Sequence, residues 1–313
     1  MNALPRLTVG LPVYNGENFV VEALDSLLGQ TFTDFELVIS DNHSTDRTEE
    51  ICREYAARDQ RIRYLRQPRN IGCNPNHNFL LGEARTPYFK WAAHDDLYGP
   101  ELLALCVAVL DEQPDVVLSH VDKAIIDEEG KVVHKFDYLL DTGSPDPVAR
   151  FRSLLIADGP DDEYGVMRTQ VLRSIRPKGS YHHAARPFMS EIAFRGRFHQ
   201  VRELLYFRRD HAGRGDRRAT IPALSTNLDP NRAGQGTPRL VAEYVYRYFE
   251  AVARAPISRS QKLACYRLLV GRLSGSGFHR ARSRNSDPNW SAGQLATTDL
   301  PVSAGTTRGD TTS

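Results

Sequence analysis

The sequence predicts an α/β protein: a mixed, mainly parallel sheet flanked by helices, followed by a helical extension. Three observations carry this. Up to about residue 120, short apolar runs alternate with stretches whose apolar residues recur three and four positions apart,. That alternation builds parallel strands joined by covering helices. Several runs end abruptly in polar clusters, above all Asp41-Asn42-His43-Ser44 and His94-Asp95-Asp96. The carboxyl ends of strands are where an open α/β sheet binds ligands.

Taken in order, Leu7, Val9, Leu11 and Val13 alternate with Thr8, Gly10 and Pro12, which reads as a strand ending near Pro12,. Tyr14 to Glu17 is a loop. Phe19, Val20, Ala23, Leu24, Leu27 and Leu28 have helical spacing, and Gly29 closes that helix,. Phe35 to Ser40 is a second strand. Ser44, Thr45 or Asp46 caps a helix from about Asp46 to Arg58,. Ile62 to Arg66 is a third strand, and the breaker-rich turn Gln67 to Gly72 leads to a helix over Pro75 to Glu83,. Tyr88 to Ala93 is the fourth strand. Gly99-Pro100 then opens a helix over Glu101 to Gln113.

Beyond Val116 to Val121 the pattern changes. Ala124 to Ile126 and Lys131 to Val133 flank Asp127 to Gly130 as a hairpin. Val148 to Ile156 reads as a short helix, Asp158 to Glu163 as an acidic loop, Tyr164 to Met167 as a strand and Thr169 to Ile175 as a helix. Lys178 to Pro187 is a loop carrying His182 and His183, Ser190 to Arg195 is helical, and Phe198 to Phe207 is the last strand. Arg208 to Arg218 is a basic loop. Thr237 to Ala253 and Ser258 to Leu273 are amphipathic helices, and the Ser-, Gly- and Thr-rich stretch from Ser274 reads as disordered,.

Composition bounds the function. At 313 residues the chain holds one large domain or two small ones,. Forty basic and thirty-nine acidic residues leave a charge of +1, so nucleic acid is not an expected partner,. Cys52, Cys73, Cys106 and Cys265 lack metal-binding spacing and read as reduced thiols,. No apolar run reaches the roughly 18 residues of a membrane span, and the first residues lack a signal-peptide pattern. The expected location is cytoplasmic, with peripheral contact at the inner face of a membrane left open.

Two adjacent carboxylates at the end of a buried strand are costly unless a cation or donor partners them. Alone, Asp95 and Asp96 also read as a solvated turn with a favourable charge at a helix start. Four segments now coincide in order: LTVGLPVYNGE (Leu7 to Glu17), FELVISDNHSTDRT (Phe35 to Thr48), RNIG (Arg69 to Gly72) and HDD (His94 to Asp96). Together they resemble the family 2 glycosyltransferases, over about residues 7 to 215 and most strongly to about 120.

The resemblance implies a GT-A fold, a Rossmann-like nucleotide-diphospho-sugar transferase architecture. Its domains would be residues 1–215 for the glycosyltransferase domain, divided at 120 into a nucleotide-sugar half and an acceptor half. An extension over 216–273 and a disordered tail over 274–313 would follow. Pro12, Tyr14 and Glu17 would line the nucleoside pocket and Asp41 would bind the base. Arg69, Asn70 and Gly72 would approach the nucleotide. Asp95 and Asp96 match the end of the family's Asp-x-Asp metal motif, whose first aspartate position is Ala93 here. Asp96, Asp95 and His211 would hold Mg²⁺ or Mn²⁺, Asp95 also facing the nucleotide sugar. Arg208 and Arg209 would clamp the diphosphate.

Glu191 in PFMSEIAFRGRF is the expected catalytic base, with Asp161, Asp162 and Glu163 as fallback. His182 and His183 are further proton-shuttle candidates. The implied activity is inverting transfer from a nucleotide-diphosphate sugar to the hydroxyl of a glycan, lipid-linked or small-molecule acceptor. Envelope polysaccharide, glycolipid or secondary-metabolite glycosylation would be the setting. Two alternatives stand: a sugar nucleotidyltransferase, against which the single glycine and missing cation of LPVYNGEN weigh, and a non-catalytic nucleotide-sugar-binding protein,.

Overall fold

The computed structural model describes residues 4–156, 162–213 and 220–274. It divides into a unit over residues 1–270 and a second over 271–313, of which only the last turn of the final helix is described. The expected disordered tail, apart from Ser274, and the fallback residue Asp161 lie outside the described residues.

The first half alternates as the sequence predicts. Strands β1 (Leu7–Val13), β2 (Phe35–Asp41), β3 (Ile62–Arg66) and β4 (Tyr88–Trp91) are separated by helices α1 (Val20–Leu28), α2 (Thr48–Arg58) and α3 (Cys73–Glu83). All four strands run parallel in the order β3-β2-β1-β4. Period-two alternation decides what each face buries. Leu7, Val9 and Leu11 of β1 join Leu24 and Leu27 of α1 in one core layer. Phe89 and Trp91 of β4 face the opposite layer with Leu80 of α3. Helices therefore cover both faces, and the strand ends are left for the loops.

The second half closes the sheet differently. A two-residue strand β5 (Leu97–Tyr98) precedes α4 (Leu102–Glu112). The expected strand and hairpin arm fuse into one long β6 (Val116–Ile126), paired to β7 (Val132–Lys135). Helix α5 (Pro147–Ile156), β8 (Val166–Arg168), α6 (Thr169–Arg173) and α7 (Ala185–Ala193) follow. Helix α7 begins five residues before the expected Ser190, inside the histidine loop. Strand β9 (Arg197–Arg209) extends through Arg208 and Arg209, the first two residues of the expected basic loop. It runs parallel to β6 and antiparallel to β5, while β8 bridges β4 and β6 antiparallel. The sheet is thus mixed, with its long ladders parallel.

Three later α-helices complete the described residues: α8 (Ile221–Leu228), which the sequence reading did not anticipate, α9 (Thr237–Arg254) and α10 (Arg259–Ser274). Pro238 at the first turn suits α9, because that position needs no donated N–H,. Tyr248, Ala251 and Val252 of α9 pack with Phe151 of α5, Phe194 and Cys265 in a third core. No described helix is long and apolar enough to cross a membrane.

Candidate active site

The site is assembled from loops at the carboxyl ends of β1, β2 and β4 and from the end of β9. The first two loops are laced together. The Asn15 N–H donates to Ser44 Oγ at 3.0 Å and the Thr45 N–H to Asn15 Oδ1 at 2.9 Å. The Gly16 N–H donates to Thr48 Oγ1 at 2.8 Å, and the Arg47 N–H to the Glu17 carboxylate at 3.0 Å. Glu17 therefore braces the start of α2. Pro12 is buried within β1, and Tyr14 is 44% exposed at the rim.

Asp41 lies deeper than a residue reading a base would need to. It is fully buried at the end of β2. One carboxylate oxygen accepts from the Ser44 N–H at 2.8 Å, the other from Tyr64 Oη at 2.6 Å and Arg66 at 3.2 Å. Its contacts shape the loop after β2 from beneath. Asn70 accepts from Asn42 and from the Gly72 N–H, which fixes the third turn. Gly72 has φ of 95°, and a Cβ there would stand 2.6 Å from the Leu228 carbonyl oxygen. That turn is thus covered by the α8 end, and only a glycine fits it. Arg69, beside Asn70, carries no side-chain bond that would tie it to the loop in the same way.

The two adjacent aspartates divide their work. Asp96 is 1% exposed and accepts from the Tyr206 hydroxyl and, at 2.9 Å, from the Arg209 N–H. Asp95 turns the other way, its carboxylate 3.1 Å from His211 Nε2. His211 rests against the ring of Phe19 from the start of α1, with centroids 4.8 Å apart.

Arg209 is fully buried, which corrects the expectation of a diphosphate clamp. Its guanidinium donates to the Asp95 carbonyl, to the Asp127 and Glu128 carbonyls and to Glu22 at 2.7 Å, and lies over the Phe19 ring. With its donors so engaged, it braces the Asp95 loop from below. Arg208, its neighbour on β9, is half-buried opposite Ile125.

A further charged pair includes the fallback residue Glu163. Lys178 Nζ lies 2.7 Å from Glu163, both largely shielded from solvent. The charges of Lys178, Glu163 and Asp95 all act on the Cys73 thiol at the start of α3. Asn74 and Asn78 of α3 hold the Gly179 and Lys178 carbonyls at 2.6 and 2.8 Å.

Glu191 stands beyond that turn. It is 7% exposed on α7, 4.0 Å from both Arg195 and Arg254, and its Oε2 has no hydrogen-bond partner. Burial pushes its carboxyl above the usual range, against the pull of those two arginines,. It lines a cavity of about 210 Å³ together with Gly179, Tyr181, Arg176 and Arg247. The rings of His182 and His183 meet at a tilt of 52°, 4.4 Å apart, beside Tyr244 of α9. Asp162 is buried, accepting from Tyr138 Oη at 2.8 Å.

A divalent ion can be tested against this donor set. Among the described residues no group of three or more His, Cys, Asp or Glu side chains is placed to hold a metal. Asp96, expected as a ligand, has its carboxylate taken up by Tyr206 and the Arg209 N–H. Asp95 and His211 remain, two donors 3.1 Å apart. One carboxylate completed by substrate phosphates is an arrangement Mg²⁺ uses, so the pair fits an ion that arrives with a diphosphate.

Sequence reasoning missed β5, Tyr206 and Glu22. A two-residue strand has no periodicity to detect, and a tyrosine or glutamate inside an amphipathic run looks like any other.

Comparison with known proteins places the chain. The sequence profile described as Glycosyl transferase family 2 matches residues 8–167. An uncharacterized glycosyltransferase of Rickettsia typhi is 34% identical over 116 residues, 36% of this chain and 35% of that protein. The chondroitin synthase of Escherichia coli is 29% identical over 133 residues, 42% of this chain and 19% of the synthase. The chain thus spans about a third or less of the length of these relatives. Among solved structures, Staphylococcus aureus TarS 1–349 superposes with a TM-score of 0.64 at 18% identity, covering 91% of this chain and 76% of TarS 1–349. Its complex with UDP-GlcNAc gives 0.63 at 19%, with the same coverage. At such identities the likeness establishes the shared GT-A fold.

Proposed function

The chain belongs to glycosyl transferase family 2, and on that premise we propose that it moves one sugar, with inversion, from a nucleotide-diphosphate sugar to an acceptor hydroxyl. The observation that carries this is the Asp95–His211 pair, set by β5 and β9 at the carboxyl end of β4. The donor would lie over the β1 and β2 loops, with Tyr14 offering its exposed ring to the base. Asp41 and Glu17 would hold those loops in shape, and Arg69, Asn70 and Gly72 would bound the nucleotide's far side. TarS with UDP-GlcNAc supports a uridine nucleotide as the first donor to try, and the Pyrobaculum calidifontis mannosyltransferase with GDP-Man and Mn²⁺ supports a guanosine one.

In a single displacement the acceptor oxygen bonds to the anomeric carbon as its O–H proton passes to a carboxylate. The bond from that carbon to the diphosphate oxygen breaks, and its electron pair leaves on the diphosphate. Charge builds on the leaving group and on an oxocarbenium-like sugar ring. Mg²⁺ or Mn²⁺, held by Asp95 and His211 with the diphosphate, would stabilise that leaving charge.

We assign the proton to Glu191. Its raised carboxyl and unpartnered Oε2 suit a base, and Gly179, which lines its cavity, follows the Lys178 that pairs with Glu163. The acceptor would be an envelope glycan, a glycolipid or a secondary metabolite.

Calorimetry with UDP, GDP and dTDP, with and without Mn²⁺, tests the donor site. One nucleotide is expected to bind in a metal-dependent way and to lose about ten-fold or more in Asp95→Asn. Failure of every nucleotide to bind would sink the assignment. Glu191→Gln should keep nucleotide affinity and lower kcat by about 10²-fold or more. If Glu163→Gln does so instead, the base is Glu163.

A further inference from the structure

Charge is nearly balanced over the whole chain, forty basic against thirty-nine acidic residues, but not along it. Between Glu250 and Asp287 stand eight Arg and Lys residues and no Asp or Glu. Helix α10 lies inside that run and carries Arg259, Lys262, Arg267 and Arg272 with no acidic residue. The two acids of α9 are already engaged, Glu243 with Arg232 and Glu250 with Arg176 and Arg247. Helix α9 therefore offers α10 no idle carboxylate.

Helix α10 is also apolar on two sides, where its sequence pattern implied one. Cys265 and Leu269 are buried in the third core with Phe151 and Tyr248. Leu263 and Val270, seven residues apart and so on one face, are 51 and 53% exposed,. Arg259 and Arg267, each four residues from Leu263, flank them on that face and are exposed,. On α9, Tyr246 is 59% exposed. It stands one turn before Phe249, whose ring stacks on Tyr266 of α10 with centroids 5.8 Å apart. Tyr266 in turn lies three residues after Leu263 and four before Val270, so the exposed groups of both helices form one surface,. Single exposed apolar side chains need no explanation, but an apolar stripe that bridges two helices and is flanked by cations does.

A bilayer interface supplies what this surface lacks on both counts. Its acyl boundary takes aliphatic side chains, and its headgroups present phosphates at the depth where arginines beside them would lie. A tyrosine suits the same depth, with an apolar ring and a polar tip. A cluster of four to eight cations on such a helix is the pattern that anionic lipids hold.

We propose that the outer face of α9 and α10 docks on an anionic phospholipid bilayer. Tyr246, Leu263 and Val270 enter the acyl boundary, and Arg259 and Arg267 meet lipid phosphates. The contact is peripheral, since no described helix is long and apolar enough to cross a membrane. It requires neither the nucleotide site nor the Glu191 base, so it stands or falls apart from the transferase reading.

Co-sedimentation of the full chain with vesicles tests it. Vesicles of phosphatidylglycerol mixed with phosphatidylcholine should bind about ten-fold or more tighter than pure phosphatidylcholine, and high salt should erase most of that margin. Arg259→Gln combined with Arg267→Gln should weaken binding to the anionic vesicles by about ten-fold, whereas lysine at both positions, which keeps the charge, should bind as wild type. Leu263→Gln combined with Val270→Gln should weaken it by about ten-fold too, with the salt dependence kept. All four positions are exposed, so thermal midpoints and nucleotide affinity should match wild type in every variant. Equal binding to neutral and anionic vesicles would overturn the proposal, as would anionic binding that survives either glutamine pair at full strength. So would a concentration-dependent rise in mass by sedimentation velocity that Leu263→Gln and Val270→Gln abolish, because the face would then close against a second copy of the chain.

Discussion

At the scale of single residues, the adjacent aspartates should separate cleanly. Asp96→Ala strands the buried Tyr206 hydroxyl and the Arg209 N–H, and each lost partner costs about 1–3 kcal/mol,. A fall of about 3 kcal/mol in unfolding free energy, seen as a lower denaturant midpoint at unchanged slope, is the expected outcome. Asp95→Ala removes a largely shielded pair and should cost about 1–3 kcal/mol, but unlike Asp96→Ala it should abolish metal-dependent nucleotide binding at full occupancy of the folded state,.

Lys90 offers a pH test. It is fully buried on β4, donates to the Tyr164 carbonyl and lies over the rings of Tyr98 and Tyr206. Burial pushes its amine down to about 8. Between about 8 and the ordinary lysine value the unfolded chain binds the extra proton, so folding stability should rise with pH across that window. Below it the cost of the buried charge is fully present. Denaturant titrations at pH 7.5 and 9.5 should show wild type gaining on Lys90→Met by an amount on the order of 1–3 kcal/mol. Glu191 is shifted upward, so activity should fall as pH drops through a carboxyl above the usual range, and Glu191→Gln should lack that acid limb,.

At the scale of elements, the site depends on β5. Two residues of strand hold Asp96 against the end of β9, and Gly99 lets the chains come that close. A Cβ at Gly99 would stand 2.5 Å from Leu205 Cδ2 and 3.1 Å from Leu205 Cα. Gly99→Val should therefore shift β5 and lower both thermal stability and nucleotide affinity. Gly99→Ala, with the Leu205 side chain able to turn aside, should do less. The fold was largely legible here. The apolar periods of β1, β2, β3 and β4 and their helices appear in the sequence because each element buries a face against the same central sheet. Strand β5, the start of α7 and all of α8 were not, because their placement comes from partners distant in sequence rather than from their own pattern.

At the scale of the whole molecule, the C-terminal helices are part of the folded body. Phe151, Tyr248, Ala251 and Cys265 share one core, so α9 and α10 up to residue 270 belong with the domain they follow. Phe151→Ala should cost about 3–5 kcal/mol. A chain ending at 236 should expose that core and lose solubility, measured as soluble yield against full length.

By itself the sequence determined the α/β class, the order of the first four strands and helices, and the family. Those follow from local periodicity and from short motifs read in order. It also marked Asp95 and His211, though 116 residues apart, as members of one site. Only the tertiary structure decided what each polar group does there. Asp96 and Arg209 carry the same charges as neighbouring candidates, but burial commits them to Tyr206, to Glu22 and to backbone groups, while Asp95 and His211 pair with each other. A sequence records which groups are charged; only packing decides which already have their partners.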